Sequence, residues 1–294
     1  MVSYQGQQTE KGVNDGLNGQ GSAMRTSSPL AGADRIRAPM TSYGRTKIIV
    51  CRDEHDLGAR AAGAVAGTMR ELLGCQEGIS MILAAGESQN TFLTALSQQP
   101  DLDWQRVVCF NMDDFWDVQM PERFTCGRQT RTQLYDRVHP KQFHLVRFNA
   151  PDPEAEALRF AELVSRAGAI DILCQGIGTS GHLALNEPGA TDFDDPELVR
   201  VVDLAEQSKR QLQDDPNFRD LGYIPRKGIT MTIPALLSAH HVFTIVPLAL
   251  KREILTRMTE TTEPTTDLPA TVLHRSPGVL YVDRNSCPVG LLSE

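Results

Sequence analysis

Residues 176–189 read GIGTSGHLALNEPG and place an imidazole, a carboxylate and four glycines in one short segment. The segment follows an apolar run, residues 169–174, which is typical of a buried parallel strand. Open α/β sheets bind ligands beyond the carboxyl ends of their strands, and glycines let a ligand approach the backbone closely. His182 and Glu187 in this position therefore indicate acid–base chemistry on a small molecule. The residues alone leave a purely structural histidine equally open.

A second candidate segment, residues 84–89, joins a predicted strand to a predicted helix through Gly86, Glu87 and Ser88. Backbone N–H groups at the start of a helix bind anions readily, so this loop is a candidate phosphate site. A tight turn in which Ser88 caps the helix is the simpler interpretation. The carboxylate of Glu87 also counts against a phosphate unless it points away.

Two adjacent carboxylates, Asp113 and Asp114, follow a third predicted strand. Neighbouring residues of an extended chain face opposite ways, so at most one of the two is expected to enter a shared pocket. A solvated acidic turn is the alternative. Lys209, Arg210 and Lys251 are basic residues that could complete a phosphate site, but no spacing distinguishes them from ordinary surface charges.

The elements that must position these residues alternate along the chain. Apolar runs predict strands, and apolar residues spaced three to four apart predict helices between them. This alternation predicts an α/β fold with a mostly parallel sheet and right-handed crossovers. The predicted strands are 47–51, 79–83, 106–110, 143–148, 169–174, 198–204, 228–233, 241–246 and 279–283, and the clearest helices are 53–74, 153–167 and 248–259.

The first 45 residues differ from the rest of the chain. Residues 1–45 are rich in Gly, Ser, Gln, Asn and Thr and lack apolar periodicity, so we expect a flexible N-terminal tail. A transit peptide is the weaker alternative, since the stretch carries arginines but is not clearly amphipathic. Residues 46–294 contain no repeat and no linker, and they are expected to form a single domain.

The composition narrows the range of partners. A net charge of −8 argues against nucleic acid and anionic membranes as partners. No apolar run approaches the ~20 residues that span a bilayer, and the N-terminus lacks the apolar core of a signal peptide. The six cysteines contain no CxxC pair, so we expect a cytoplasmic protein with reduced thiols. The scattered histidines do not indicate a metal site.

Two longer motifs resemble those of one family. Residues 110–115, FNMDDF, are similar to the FNMDEY of the glucosamine-6-phosphate deaminase/isomerase family, and residues 176–188 are similar to its GIGxDGHIAFNEP. The 6-phosphogluconolactonases are relatives of this family, and the NEP ending favours the deaminase branch. The resemblance covers roughly residues 47–285. It implies a three-layer, Rossmann-like domain in which a mostly parallel sheet is flanked by helices.

The resemblance also implies an activity. It is an aldose–ketose isomerisation of an amino-sugar phosphate coupled to loss of ammonia, with no metal and no organic cofactor. By this resemblance Asp113 takes the proton from C2, His182 assists ring opening and Glu187 supports His182. The residues that bind the substrate phosphate then fall on Gly86, Glu87, Ser88, Arg210 and Lys251. A small sugar phosphate is the expected partner, and a homo-oligomer is left open.

Three departures from the family pattern predict a divergent branch. Ser180 stands where the family has an aspartate just before the Gly-His pair, and we count it with the catalytic residues because the aspartate helps to relay protons through the histidine. The phosphate loop gains the charge of Glu87 and loses a hydroxyl, and Asp114 is shorter than the family's glutamate. A hydrolase of 6-phosphogluconolactone and a sugar-phosphate-binding protein without turnover are therefore the alternatives to a deaminase.

Overall fold

The apolar runs predicted as strands form two sheets in a computed structural model of the protein, which describes residues 40–214 and 218–291. Numbered along the chain, the strands are β1 (Met40–Tyr43), β2 (Thr46–Cys51), β3 (Ile79–Leu83), β4 (Val107–Asn111), β5 (Asp113–Trp116), β6 (Gln142–His144), β7 (Ile172–Gln175), β8 (Val199–Asp203), β9 (Lys227–Met231), β10 (His241–Val246) and β11 (Gly278–Asp283). The larger sheet has eight strands in the order β1-β2-β11-β10-β7-β3-β4-β6. Its neighbours pair in parallel, except that β1 runs antiparallel to β2. The predicted α/β fold with a mostly parallel sheet is confirmed.

Helices follow most of the strands. They are α1 (Glu54–Cys75), α2 (Asn90–Ser97), α3 (Cys126–Thr130), α4 (Asp136–Val138), α5 (Pro153–Ala167), α6 (Glu206–Asp214), α7 (Ile233–Leu237) and α8 (Arg252–Glu260). A single π-helical turn, Arg131–Tyr135, links α3 to α4. The long helices begin at aspartate caps: Asp53 accepts a hydrogen bond from the N–H of Asp56, and Asp152 accepts one from the N–H of Glu154. Within the described ranges, no helix is both long and apolar enough to cross a membrane.

The central strands are buried on both faces. Met81 and Leu83 of β3 pack with α1 and α2 on one face, whereas Ile82 between them packs with α5 on the other. The same alternation holds in β7, where Ile172 and Cys174 belong to the first core and Leu173 to the second. A third core lies under α8, against β2 and β11. Helices therefore cover both faces of the sheet and form a three-layer architecture with it, as expected of parallel strands.

The smaller sheet differs from the prediction. The strand candidates 198–204 and 228–233, counted with the parallel sheet, instead form antiparallel β8 and β9, and β9 also pairs with the unpredicted β5.

Met112 connects the two sheets through its backbone. Its N–H donates to the carbonyl of Leu83 at 3.2 Å, and its carbonyl accepts from the N–H of Met231 at 2.9 Å. This junction holds β5, and thus the Asp113–Asp114 pair, beside the end of β3.

The folded chain begins earlier than the sequence suggests. Residues 40–45 fall within the predicted tail, yet Met40–Tyr43 form strand β1, and the side chain of Tyr43 is buried. The hydroxyl of Tyr43 donates to the carbonyl of Thr261 at 2.6 Å. The boundary at residue 45 is therefore placed too late. The remaining part of the predicted tail, residues 1–39, lies outside the described residues.

Helix α5 offers a matched test of the second core. Phe160 is fully buried there, whereas Leu158, on the same helix, is 70% exposed. We expect Phe160→Ala to lower the free energy of unfolding by about 3–5 kcal/mol, because it removes the buried ring and leaves a cavity. Leu158→Ala should change it by less than about 0.5 kcal/mol. Urea unfolding of both variants measures the difference, and equal values would show that α5 does not pack as described.

Candidate active site

A cavity of about 880 Å³ opens at the carboxyl ends of four adjacent strands, β10, β7, β3 and β4. Each strand contributes the residues that directly follow it. The lining residues are 84–88 after β3, Met112 and Asp113 after β4, 176–179, His182, Ala184 and Leu185 after β7, and Leu248, Leu250 and Lys251 after β10. Helices α3 and α6 complete the wall. All three strand-end segments singled out in the sequence thus meet in one place.

His182, which lines this cavity, is in direct contact with Glu187. The Nδ1 atom of His182 lies 2.9 Å from Oε1 of Glu187, and both side chains are mostly buried. A carboxylate beside Nδ1 favours the proton on that nitrogen and leaves Nε2 as the acceptor of a neutral imidazole. The predicted loop therefore brings the histidine and the glutamate together.

Two serine hydroxyls hold the same carboxylate. Ser180 donates to Oε2 of Glu187 at 2.8 Å, and its Oγ lies 2.9 Å from Nδ1 of His182. Ser208, which the sequence analysis did not identify, donates to Oε1 of Glu187. Burial alone would raise the pKa of Glu187, but hydrogen bonds from His182, Ser208 and Ser180 hold it below its ordinary value. The serine that replaces the family's aspartate is thus part of the site.

Gly178 makes room for the imidazole. A Cβ atom at this position would lie 1.9 Å from Nε2 of His182, well inside contact distance. The backbone of the loop closes around the same point, since the N–H of Gly178 donates to the carbonyl of His182 at 3.0 Å. The glycine therefore serves the packing of the histidine, in addition to any approach of a ligand.

Asp113 and Asp114 face opposite ways. Asp113 lines the cavity, and its carboxylate has no hydrogen-bond donor among the described residues. Asp114 turns away and accepts three backbone N–H groups, those of Phe115 at 2.8 Å, Cys126 at 2.9 Å and Gly127 at 2.8 Å. Asp113 therefore faces the cavity, whereas Asp114 fastens the start of α3 to β5.

Burial changes the protonation of both aspartates. It raises the pKa of Asp113 to about 6, against a smaller lowering by the charge of His182. It raises the pKa of Asp114 to about 7, although the N–H groups of Gly127, Cys126 and Phe115 favour the charged form. A carboxylate whose pKa lies near neutrality can both take up and release a proton, which suits Asp113 to general base catalysis.

The loop after β3 is held by a glutamine from α3. The N–H of Gly86 donates to Oε1 of Gln129 at 3.0 Å, and Nε2 of Gln129 donates back to the carbonyl of Gly86 at 3.0 Å. Gly86 has φ of +102°, a conformation that favours glycine. Since its N–H is already engaged, the part of this loop that faces a ligand consists of Glu87 and Ser88, which also line the cavity.

Lys251 supplies a buried cation at the same end of the cavity. Burial lowers its pKa to about 8, opposed in part by the charge of Glu87. Its position depends on Leu248, whose carbonyl accepts the N–H of Lys251 at 3.0 Å. Leu248 has φ of +84° and ψ of 135°, a region that only glycine adopts readily. The backbone is thus strained where it directs Lys251 inward.

Arg210 does not join this group. It lies on the exposed face of α6 and is not among the residues that line the cavity, while Lys209 pairs with Glu206 at 2.7 Å.

The side chains that α6 directs inward are Gln207, Gln211 and Leu212. Opposite them, α3 contributes Arg128, which the sequence analysis missed and which forms no ion pair within the described parts of the chain.

Ser208 and Arg128 could not be found from local patterns. Ser208 lies 21 residues after Glu187, in a segment without motif residues. The available signal is helical spacing, since Gln211 lies four residues after Gln207 and three after Ser208 on α6. No set of three or more His, Cys, Asp or Glu side chains that could hold a metal ion occurs in residues 40–214 and 218–291.

Known proteins are similar to this chain in sequence. Residues 52–282 match the family described as glucosamine-6-phosphate isomerases/6-phosphogluconolactonase, which covers most of the chain. The chain belongs to this family. A relative within it, the glucosamine-6-phosphate deaminase of an Exiguobacterium species, is 32% identical over 185 residues, which are 63% of this chain and 70% of the relative.

Solved structures of the glucosamine-6-phosphate isomerase/6-phosphogluconolactonase family have the same fold. A monomeric glucosamine-6-phosphate deaminase superposes with a TM-score of 0.71 at 26% identity, covering 81% of this chain and 98% of its own. A 6-phosphogluconolactonase from Shewanella baltica superposes with a TM-score of 0.68 at 16% identity, covering 83% of this chain and 100% of its own. The Rossmann-like, three-layer fold implied by the motifs is confirmed.

The close fit of Gly178 against His182 can be tested by adding one carbon. We expect Gly178→Ala to push the imidazole away from Glu187, because the new methyl group occupies the position of Nε2. Loss of that charged hydrogen bond should lower the free energy of unfolding by roughly 1–3 kcal/mol. A crystal structure of the variant measures the Nδ1–Oε1 distance. Gly63→Ala, where nothing lies within 4 Å, is the control and should not destabilise the protein.

Burial of the Asp113 carboxylate predicts a dependence of folding stability on pH. Its folded pKa of about 6 lies above the unfolded value, so the contribution of Asp113 to stability falls as pH rises from about 4 to 6 and stays lower above that. Asp113→Asn removes this cost, and we expect the variant to gain up to about 3 kcal/mol over wild type at pH 8 and little at pH 4.

Urea titrations at pH 4 and pH 8 measure this difference. Asp101→Asn, at an exposed residue, is the control and should match wild type at both pH values. A stability gain in Asp113→Asn that did not change with pH would contradict the raised pKa.

Proposed function

We propose that the protein is an amino-sugar-phosphate deaminase/isomerase. It converts glucosamine 6-phosphate, or a close isomer, and water into a ketose 6-phosphate and ammonia. The observation that carries the proposal is the meeting of Asp113 with the His182–Glu187 pair in one cavity. Membership of a family whose named relatives include glucosamine-6-phosphate deaminases supports it.

Ring opening is the first step that the site can perform. The C1 hydroxyl of the cyclic sugar must lose a proton, and the ring oxygen must gain one. Nε2 of neutral His182 can accept the first proton and return it to the ring oxygen, because Nδ1 stays directed at Glu187. Glu187 stabilises the imidazolium formed in between. Ser180 keeps one oxygen of that carboxylate in place.

Isomerisation then requires a base at C2. The carboxylate of Asp113, which has no competing donor in the described chain, takes the C2 proton, and a proton is added at C1. The C1 carbonyl oxygen takes up a proton and becomes a hydroxyl, while the ammonium group of the substrate gives one up. The amino group is left on a carbon–nitrogen double bond at C2. Water adds to this carbon and ammonia departs, which leaves the ketone. The net reaction consumes one water, so the enzyme counts as a hydrolase as well as an isomerase.

The phosphate is assigned to the end of the cavity formed by Lys251, Ser88 and Glu87. Lys251 offers an ammonium group, Ser88 a hydroxyl, and Glu87 its backbone N–H. Gly86 shapes this loop through its positive φ. The carboxylate of Glu87 must turn outward for a phosphate to bind, and its side chain is exposed. Arg128 is better placed than Arg210 to add a second positive charge, because it lines the cavity.

Ammonia release tests the proposal directly. We expect the protein to release ammonia from an amino-hexose 6-phosphate, with a bell-shaped dependence of kcat/KM on pH. The acid limb should lie near pH 6, where Asp113 ionises, and the alkaline limb near pH 8, where Lys251 loses its charge. Asp113→Asn should lower kcat by at least about a hundredfold, the lower range of general base catalysis.

Other outcomes separate the alternatives. Acid release from 6-phosphogluconolactone without ammonia from any amino sugar would identify a lactone hydrolase. Thermal stabilisation by sugar phosphates without any product would identify a binding protein. Either result would overturn the proposed reaction.

A further inference from the structure

Ser208 reaches the catalytic pair from a different element of the fold. It lies in α6, is only 7% exposed, and donates through Oγ to Oε1 of Glu187. The same Oγ lies 3.4 Å from Nδ1 of His182. Ser180, in the loop after β7, donates to the other carboxylate oxygen at 2.8 Å. Each oxygen of Glu187 is thus held by a hydroxyl, and the two hydroxyls come from separate segments.

We propose that Ser208 is a positioning residue, which fixes the plane of the Glu187 carboxylate and through it the orientation of His182. The inference rests on the proposed function, since it assigns Ser208 to the reaction of that site. Ser208 does not line the cavity, so it acts through Glu187 and does not contact substrate.

The need for two hydroxyls follows from the geometry of a glutamate. Its terminal torsion is broad, so a single donor leaves the carboxylate free to rotate. The carboxylate of Glu187 must face Nδ1 of His182 with one oxygen, at 2.9 Å. A donor on each oxygen, Ser180 on one and Ser208 on the other, defines that rotation. Without Ser208, Oε1 would be held by the imidazole alone.

Helix α6 also forms part of the cavity wall, which gives the contact a second consequence. Gln207, Gln211 and Leu212 of this helix line the cavity. Gln211 additionally accepts a hydrogen bond from Thr179 at 2.6 Å, which ties α6 to the catalytic loop. A sugar that contacts α6 therefore touches the helix that orients Glu187. Helix α6 thus takes part both in the cavity wall and, through Ser208, in the orientation of Glu187.

The kinetic test uses Ser208→Ala, with Gln213→Ala as the matched control. Gln213 is an exposed residue of the same helix and does not line the cavity. Alanine favours helices, so the fold of α6 is retained, and the melting temperature of each variant checks this. We expect Ser208→Ala to lower kcat for ammonia release about ten- to a hundredfold, as loss of a hydrogen bond to a charged group does, with KM unchanged. Gln213→Ala should match wild type. Unchanged kcat in Ser208→Ala, or a rise in KM alone, would overturn the inference.

A spectroscopic test does not require turnover. In protein labelled with ¹⁵N-histidine, the signals of His182 are those lost in His182→Asn. We expect wild type to show one tautomer with the proton on Nδ1, and Ser208→Ala to show a mixture of tautomers. Identical His182 signals in the two proteins would overturn the inference. If wild type releases no ammonia, the proposed function fails, and these signals still decide whether Ser208 orients His182.

Discussion

Four parallel strands that end at one edge of the sheet are the constraint on which the site depends. Strand β7 pairs with β10 on one side and β3 on the other, and β3 pairs with β4, so Cys174, Leu83 and Asn111 lie side by side near the ends of their strands. Lys251, His182 and Asp113 are far apart in sequence but each follows one of these strands. A slip of one residue in any pairing would turn its side chains to the opposite face. Backbone hydrogen bonds of the sheet therefore set the spacing of these three side chains.

Three of the buried carboxylates, Asp113, Asp114 and Glu187, show how differently one fold treats the same group. Asp114 is surrounded by backbone N–H groups, and Glu187 by an imidazole and two hydroxyls. Asp113 has neither, and it alone of the three lines the cavity. The two well-bonded carboxylates hold structure, one the start of α3 and the other the histidine. Asp113 is the carboxylate that can exchange a proton with a ligand, because it alone faces the cavity.

The sequence predicted those parts of the site that lie in continuous segments. The loop 176–189, the opposite orientation of Asp113 and Asp114, and the buried central strands all follow from local pattern and strand geometry. Ser208 and Arg128 come from helices whose place in the cavity depends on tertiary packing, which no local pattern encodes. Arg210 illustrates the limit: it is two residues from Ser208, yet the helical turn places it on the solvent side. The antiparallel pairing of β5, β8 and β9 was missed because alternating elements suggested a single sheet.

Leu248 has a consequence for attempts to improve this protein. A leucine at φ of +84° and ψ of 135° stores about 1–3 kcal/mol of backbone strain, which glycine at that position would relieve. The leucine side chain, however, forms part of the cavity wall beside Lys251. Selection for heat resistance alone would therefore favour glycine at this position and would open the wall next to the ammonium group. More water would reach Lys251, and its pKa would return towards that of an ordinary lysine. A glycine at position 248 would thus stabilise the fold and, at the same time, change the electrostatic environment of Lys251.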